Sequence, residues 1–309
     1  MARITKVKTE NYEEWKALRS RYIGGSDAAA VVGLNAYVSP YSLWAEKTGR
    51  VPGFGGNLAT EVGTYMEDFV AQKFAEETGK KVRKVNASFF NSDYPWAIAN
   101  IDRDIVGEDA GLEIKTTDSL NMKKFKNGEY PANYYVQCVH YMAITGKQRW
   151  YLAVLIGNKD FKVFTIERDE AEIAALMDAE CEFYKLVENG TPPAIDGSQA
   201  TTAAVNAIYA DSKEGTVDLT GYNATVRQYI ALNKQIKELE KQLNEAANRI
   251  KAYIGESEFG ESADFRVSWK PQTRRTFDSK RFAADHKDID LSGYYKESTA
   301  RVFRVSTIN

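Results

Sequence analysis

The chain has 309 residues, enough for about two domains at ~150 residues each. Its 43% hydrophobic and 27% charged residues place it among globular proteins and exclude wholesale disorder and collagen-like repeats. Forty-one basic against 43 acidic residues, a net charge of -2, argue against a protein that coats nucleic acid non-specifically, but leave room for an enzyme with a locally basic groove. Two cysteines, Cys138 and Cys181, exclude a disulfide framework and a four-thiolate zinc or iron–sulfur site, and two histidines, His140 and His286, leave little for a His-rich metal centre. No apolar run is long enough to span a membrane and the N-terminal residues lack an apolar leader, so the expected location is cytoplasmic.

In chain order, residues 13–19 read as helix. Gly24-Gly25-Ser26-Asp27 then breaks the chain and opens a short helix with Ser26 or Asp27 as N-cap. Pro40 starts and Gly49 closes another short helix. Residues 57–78 form a longer one, with Val62, Tyr65, Met66, Phe69, Val70 and Phe74 at helical spacing and Gly79 at its end. Strand patterns follow at 82–90, 96–106 and 112–116, the last two joined by a glycine-containing turn as a hairpin. A helix over 133–145, a hairpin over 149–166 and a helix over 169–188 complete a first domain over residues 1–200. Residues 201–221 read as a linker. From Tyr222 a coiled-coil-like helix carries Ile236, Leu239 and Leu243 in its stripe, and strands at 265–270 and 301–308 end a second domain over 222–309.

The chemistry concentrates in Asp102 and in Glu113-Ile114-Lys115. Residues two apart share a strand face, so Glu113 and Lys115 point the same way; with Asp102 on the partner strand, two carboxylates and an amine converge. Two carboxylates with nearby carbonyl oxygens suit Mg²⁺, and a lysine beside the metal orients a water and favours its deprotonation. The short pattern alone also fits an ordinary salt-bridged strand face. Glu113 and Lys115, however, sit beside Leu112 and Ile114 in a sheet flanked by helices, where charges want a partner or a function. Separately, Gly24-Gly25-Ser26 at a helix start, with Arg19 or Arg21 nearby, reads as an anion site. Basic clusters at Lys80-Lys81-Val82-Arg83-Lys84 and Lys123-Lys124-Phe125-Lys126 are candidate DNA-backbone contacts.

Five motifs occur in order: residues 19–29 around Gly24-Gly25-Ser26, Gly63-Thr64-Tyr65-Met66-Glu67, Asp102, Glu113-Ile114-Lys115, and Gln137-Cys138-Val139-His140-Tyr141-Met142. Over roughly residues 12–195 this resembles the YqaJ-like viral recombinase family, the phage lambda-type alkaline exonucleases of the PD-(D/E)xK nuclease superfamily. The resemblance implies an α/β, restriction-endonuclease-like PD-(D/E)xK core: a central mixed β-sheet flanked by helices, here with a C-terminal long helix and small β element. It implies two Mg²⁺ per site, replaceable by Mn²⁺, held by Asp102, Glu113 and the Ile114 carbonyl, with Lys115 and Glu67 acting on the water. Arg19 and Ser26 would hold the 5′-phosphate, Gln137 the nearby DNA, with Asn100 and Tyr141 beside them. The implied activity is 5′ to 3′ digestion of double-stranded DNA with 5′-phosphate ends, leaving a 3′ overhang for a single-strand annealing protein. A homo-oligomer, a ring trimer, and a phage or prophage origin follow from the same resemblance. A PD-(D/E)xK endonuclease and a non-catalytic DNA-binding or scaffold protein are the alternatives.

Overall fold

The computed structural model describes residues 3–308. In chain order its elements are β1 (Ile4–Val7), α1 (Tyr12–Arg21), β2 (Ile23–Gly24), α2 (Gly25–Val31), α3 (Pro40–Lys47), α4 (Leu58–Thr78), β3 (Val82–Lys84), β4 (Ser88–Asn91), β5 (Ala97–Ile98), β6 (Arg103–Ile105), β7 (Ala110–Thr117), α5 (Ala132–Thr145), β8 (Arg149–Ile156), β9 (Asp160–Glu167), α6 (Glu170–Glu188) and α7 (Gln199–Ile208). Then come α8 (Asn223–Ile254), β10 (Phe259–Glu261), β11 (Arg266–Ser268) and α9 (Ser279–Asp285). The chain divides into two compact units, one ending at Tyr209 and the other beginning at Ala210.

The first unit is built on a five-stranded sheet of order β3-β6-β7-β8-β9. Its pairs are antiparallel except for β7 and β8, which run parallel from Ala110↔Arg149 to Thr117↔Ile156. Trp150 to Val154 of β8 is an unbroken buried run, as a strand covered on both faces requires. Tyr151 and Ala153 pack with Val70, Ala71 and Phe74 of α4. Trp150, Leu152 and Val154 pack with Cys138, Val139 and Met142 of α5. On β7, Leu112 and Ile114 belong to the α4 side. The alternate residues Gly111, Glu113 and Lys115 therefore face α5. The architecture is the mixed sheet flanked by helices that the sequence predicts.

Several boundaries differ from the sequence reading. The run 82–90 splits, because β3 joins the main sheet while β4 pairs with β1. The run 96–106 splits too: β5 pairs parallel with β2, and β6 pairs with β7. Asp102 falls in the bend before β6 rather than on a strand. The N-cap of α2 is Gly24, not Ser26 or Asp27. The stretch expected to begin the linker is helix α7: Thr201 bonds Ser39 through their hydroxyls at 2.7 Å, and Ala204 is buried against the α3 residues. Small residues that read as linker composition here let two helices approach closely. In the second unit, β11 pairs with β10, and residues 301–308 are not a strand. No residue of α8 is buried, and Ile236, Leu239 and Leu243 of its stripe are exposed. Among the described residues no helix is long and apolar enough to cross a membrane.

Gly111 lets β7 lie against the Trp150 ring, because a Cβ there would sit 2.3 Å from a ring carbon. Gly111→Ala is expected to destabilise the first unit by about 1–3 kcal/mol through overpacking, read as a lower midpoint in urea denaturation.

Candidate active site

The β6–β7 pairing closes at Arg103↔Leu112. The chain before it turns away, and Asp102 uses the freed edge of β7: its Oδ2 accepts a hydrogen bond from the Ile114 N–H at 2.8 Å. The N–H and C=O of an extended residue point to the same edge, so the Ile114 carbonyl also faces this side. Glu113 is almost wholly buried, at 2% exposure. Its Oε1 lies 2.5 Å from the Lys115 ammonium. Lys115 Nζ also donates to Gln137 Oε1 at 2.9 Å and sits 5.3 Å above the centre of the Tyr134 ring. Gln137 in turn donates through Nε2 to the Tyr141 hydroxyl at 2.8 Å.

This is an acid pair in a desolvated wall. Burial pushes the Asp102 carboxyl well above the usual range, and the charge of Glu113 pushes it further. Burial raises Glu113 as well, against the pull of Lys115. Burial alone would lower Lys115, but the two carboxylates outweigh it and keep the ammonium charged. Two of its three N–H groups are committed to Glu113 and Gln137, leaving one for the cleft. Glu113 Oε2 is buried without any hydrogen-bond partner. An unpartnered carboxylate oxygen is costly; a cation would satisfy it, as would a proton shared with the raised Asp102 carboxyl. Among the described residues no three His, Cys, Asp or Glu side chains cluster as a ready ligand set. Two carboxylates and a main-chain oxygen leave the remaining positions to water and substrate, a donor set that fits Mg²⁺.

Glu67, on α4, lines the same cleft and is half-buried rather than on a solvated helix face. Burial and the nearby Asp102 both raise its carboxyl. It is steadied by Arg103, which the sequence reading missed. That guanidinium is buried at 3% exposure, lies 3.5 Å from Glu67 and 2.5 Å from Asp68, and donates to the Asp102 carbonyl at 2.7 Å. Arg103 thus ties α4 to the bend that carries Asp102.

On the opposite wall, Arg19 donates to the Ser26 hydroxyl at 2.5 Å and lies over the Trp15 ring. Arg19 lines the cleft; Arg21 is exposed and does not. The Asp27 carboxylate already accepts the Gly24 N–H at 3.0 Å and pairs with Lys47, so any anion here would rely on Arg19 and Ser26 more than on the seven-residue helix α2. Asn100 Oδ1 accepts from the Trp15 indole N–H at 3.1 Å and from Ser88 at 2.6 Å. An indole N–H only donates, so this contact identifies the accepting amide oxygen and leaves the Asn100 NH₂ available to donate. Tyr141 is buried, its ring tilted against Trp150 at 5.2 Å between centroids, and fills the space over Gly25, where a Cβ would come within 2.5 Å of its ring. Its ring packs against both neighbours, and its hydroxyl, at the cleft wall, positions Gln137. Of the basic cluster at residues 80–84, Lys84 lines the cleft, while Lys80 and Arg83 are engaged by Glu108 and Asp104.

All of Arg19, Ser26, Glu67, Asn100, Asp102, Glu113, Ile114, Lys115, Gln137 and Tyr141 line one cleft of about 460 Å³. Outside it, the sequence reading also missed His140 and Glu180, a fully buried pair. His140 Nδ1 is 2.8 Å from Glu180 Oε1, and its Nε2 is 3.0 Å from the Ile98 carbonyl. A carbonyl only accepts, so Nε2 carries a proton. The pair joins α5 and α6 to β5.

The YqaJ-like viral recombinase domain model matches residues 14–148, which hold the whole cleft. The chain is also 37% identical over 312 residues to the uncharacterized protein YqaJ of Bacillus subtilis (strain 168), covering 99% of this chain and 98% of that one. The chain belongs to the YqaJ-like viral recombinase family. Among solved structures it is similar to the alkaline exonuclease LHK-Exo of Laribacter hongkongensis, at 25% identity and TM-score 0.49 over 58% of this chain and 94% of that one. It is also similar to a phage related exonuclease from Haemophilus somnus 129PT, at 12% identity and TM-score 0.42 over 57% and 99%. In this YqaJ-like chain, Asp102 and Glu113-Ile114-Lys115 stand at the open edge of the mixed sheet.

Because His140 is the only hydrogen-bond partner of Glu180 among the described residues, His140→Ala leaves a buried carboxyl stranded. A loss of about 3–5 kcal/mol is expected by urea denaturation, with Glu180→Gln retaining most of the stability in the same assay.

Proposed function

We propose that this chain is a Mg²⁺-dependent nuclease that digests double-stranded DNA 5′ to 3′ from a phosphorylated end. It would release 5′-mononucleotides and leave a 3′ overhang for a single-strand annealing protein. The observation that carries the reading is the Asp102–Glu113–Lys115 group at the cleft wall, with its buried, unpartnered Glu113 oxygen. Membership of a viral recombinase family supports it. Asp102, Glu113 and the Ile114 carbonyl would hold the metal, two ions being expected with Glu67 nearby. When bound, Mg²⁺ supplies Lewis-acid stabilisation of the scissile phosphate and an acidified water.

The chain's own groups do the rest. Lys115, held charged, directs its remaining N–H at the attacking water or at the phosphate oxygen that gains charge, so its part is electrostatic and orienting. Glu67, with its carboxyl raised, is the group on the α4 wall suited to accept the water's proton. Gln137 is fixed by Lys115 and Tyr141, and Asn100 offers its NH₂ to a phosphate. Arg19 and Ser26 would receive the terminal 5′-phosphate, which sets both the end preference and the polarity. The same reading carries a homo-oligomer, a ring trimer around the duplex, measurable by light scattering of the full chain.

Digestion of linear duplex DNA with 5′-phosphate or 5′-hydroxyl ends, beside a covalently closed circle, tests this reading. Loss of the phosphorylated linear substrate alone is expected. Cutting of the circle would make the protein an endonuclease, and no digestion with Mg²⁺ or Mn²⁺ would favour a binding protein. Lys115→Ala is expected to abolish cleavage and spare DNA binding. Glu113→Gln is expected to weaken Mn²⁺ binding at least about tenfold in calorimetry, since a charged ligand is lost. Arg19→Ala is expected to remove the preference for phosphorylated ends while leaving metal binding unchanged.

A further inference from the structure

A second cleft, of about 620 Å³, opens beyond the carboxyl end of β7. Tyr37, Thr117, Asn121, Lys124, Asn133 and Tyr134 are among the residues that line it. It shares a wall with the first cleft. Thr116 lines one and Thr117 the other. The Tyr134 ring that carries the Lys115 ammonium also lines the second cleft.

The lining has a distinct chemistry. Tyr37 is 85% exposed. Its loop is pinned, because Asn35 Oδ1 accepts from the backbone N–H groups of Tyr37 at 2.8 Å and Val38 at 3.2 Å, so the ring is presented by a fixed turn. Asn121 donates through Nδ2 to Thr117 Oγ1 at 2.9 Å, which leaves its carbonyl oxygen to accept. Lys123, Lys124 and Lys126 are exposed, and among the described residues none has an acidic partner, unlike Lys80 and Arg83 of the other basic cluster. Glu129 is the one acidic residue in the lining.

An exposed aromatic face, amide groups and unpaired lysines together are what single-stranded nucleic acid requires: a stacking platform, base-edge partners and phosphate contacts. The volume lies within the ~300–1,000 Å³ of small-molecule pockets. It suits a nucleotide or two and is far too small for a duplex. We infer that this cleft binds unpaired nucleotides of a DNA strand, with a base stacked on Tyr37 and a phosphate on Lys124. The inference rests on the nuclease reading for the identity of the substrate, and it assigns a place for single-stranded DNA immediately beside the reacting phosphate.

The test uses the full chain carrying Lys115→Ala, so that DNA stays intact. Fluorescence anisotropy would follow a labelled oligothymidylate and a blunt duplex of equal length across a series of salt concentrations. With Tyr37→Ala added, affinity for the oligothymidylate is expected to fall about tenfold at an unchanged salt slope, while duplex affinity moves by less than about twofold. Tyr37→Phe is expected to restore the affinity. Lys124→Gln is expected to lower the salt slope for the oligothymidylate by about 0.7, the share of one phosphate contact. Absence of oligothymidylate binding, unchanged affinity in both variants, or equal losses on duplex and single strand would each overturn the inference. A parallel digestion assay with Lys115 intact separates the two readings. If duplex is digested but Tyr37→Ala binds single strand normally, the cleft assignment fails and the nuclease stands. If nothing is digested but single-strand binding depends on Tyr37, the nuclease fails and the cleft stands.

Discussion

Burying a carboxylate in the flank of a sheet is the constraint around which the first unit is organised. Glu113 has almost no contact with solvent, and Asp102 stands beside it. Two acids in such a place cost several kcal/mol each unless they are neutralised or paired. The surroundings supply part of the compensation: the Lys115 ammonium for Glu113, the Ile114 N–H for Asp102, and Arg103 through the Asp102 carbonyl. They stop short of completing it, because one Glu113 oxygen has no partner. Stability alone would favour an apolar pair here; unlike Glu180, which also has one unpartnered oxygen, Glu113 stands at the wall of an open cleft beside a second carboxylate.

The fold meets this constraint by giving β7 two different faces. Leu112 and Ile114 join the α4 core, while Glu113 and Lys115 meet α5. That second face stays open at one end because β6 stops pairing at Arg103 and the Asp102 bend takes the vacated edge. Two close approaches hold the walls in place: Gly111 under Trp150, and Gly25 under Tyr141. Tyr141 therefore links packing to chemistry, since the ring that fills the gap above α2 also bears the hydroxyl that orients Gln137.

The unit from Ala210 onward follows other rules. Its long helix α8 has no buried residue, and its stripe of Ile236, Leu239 and Leu243 is exposed. In proteins most helical stability comes from tertiary packing of an apolar face. Similarity to the Bacillus protein YqaJ extends over nearly all of both chains, so this unit is shared with that relative rather than appended to this chain.

What the sequence determined was local and periodic. The two-residue repeat of a strand placed Glu113 and Lys115 on one face, helical spacing located α4 and α5, and glycine at their ends marked where they stop. The resemblance carried by five ordered motifs then named the residues that gather in the cleft, Tyr141 among them, and Arg19, not Arg21, lines the wall. Only the tertiary structure decided that Asp102 leaves its strand, that Arg103 fastens Glu67, that His140 meets Glu180, and that residues 201–208 are helix. Those contacts join residues 12, 36 and 40 positions apart, or depend on a neighbouring helix such as α3. Periodicity reports which face a side chain takes within its own element. The partner it meets across the core is set by how elements pack, and no local repeat encodes that.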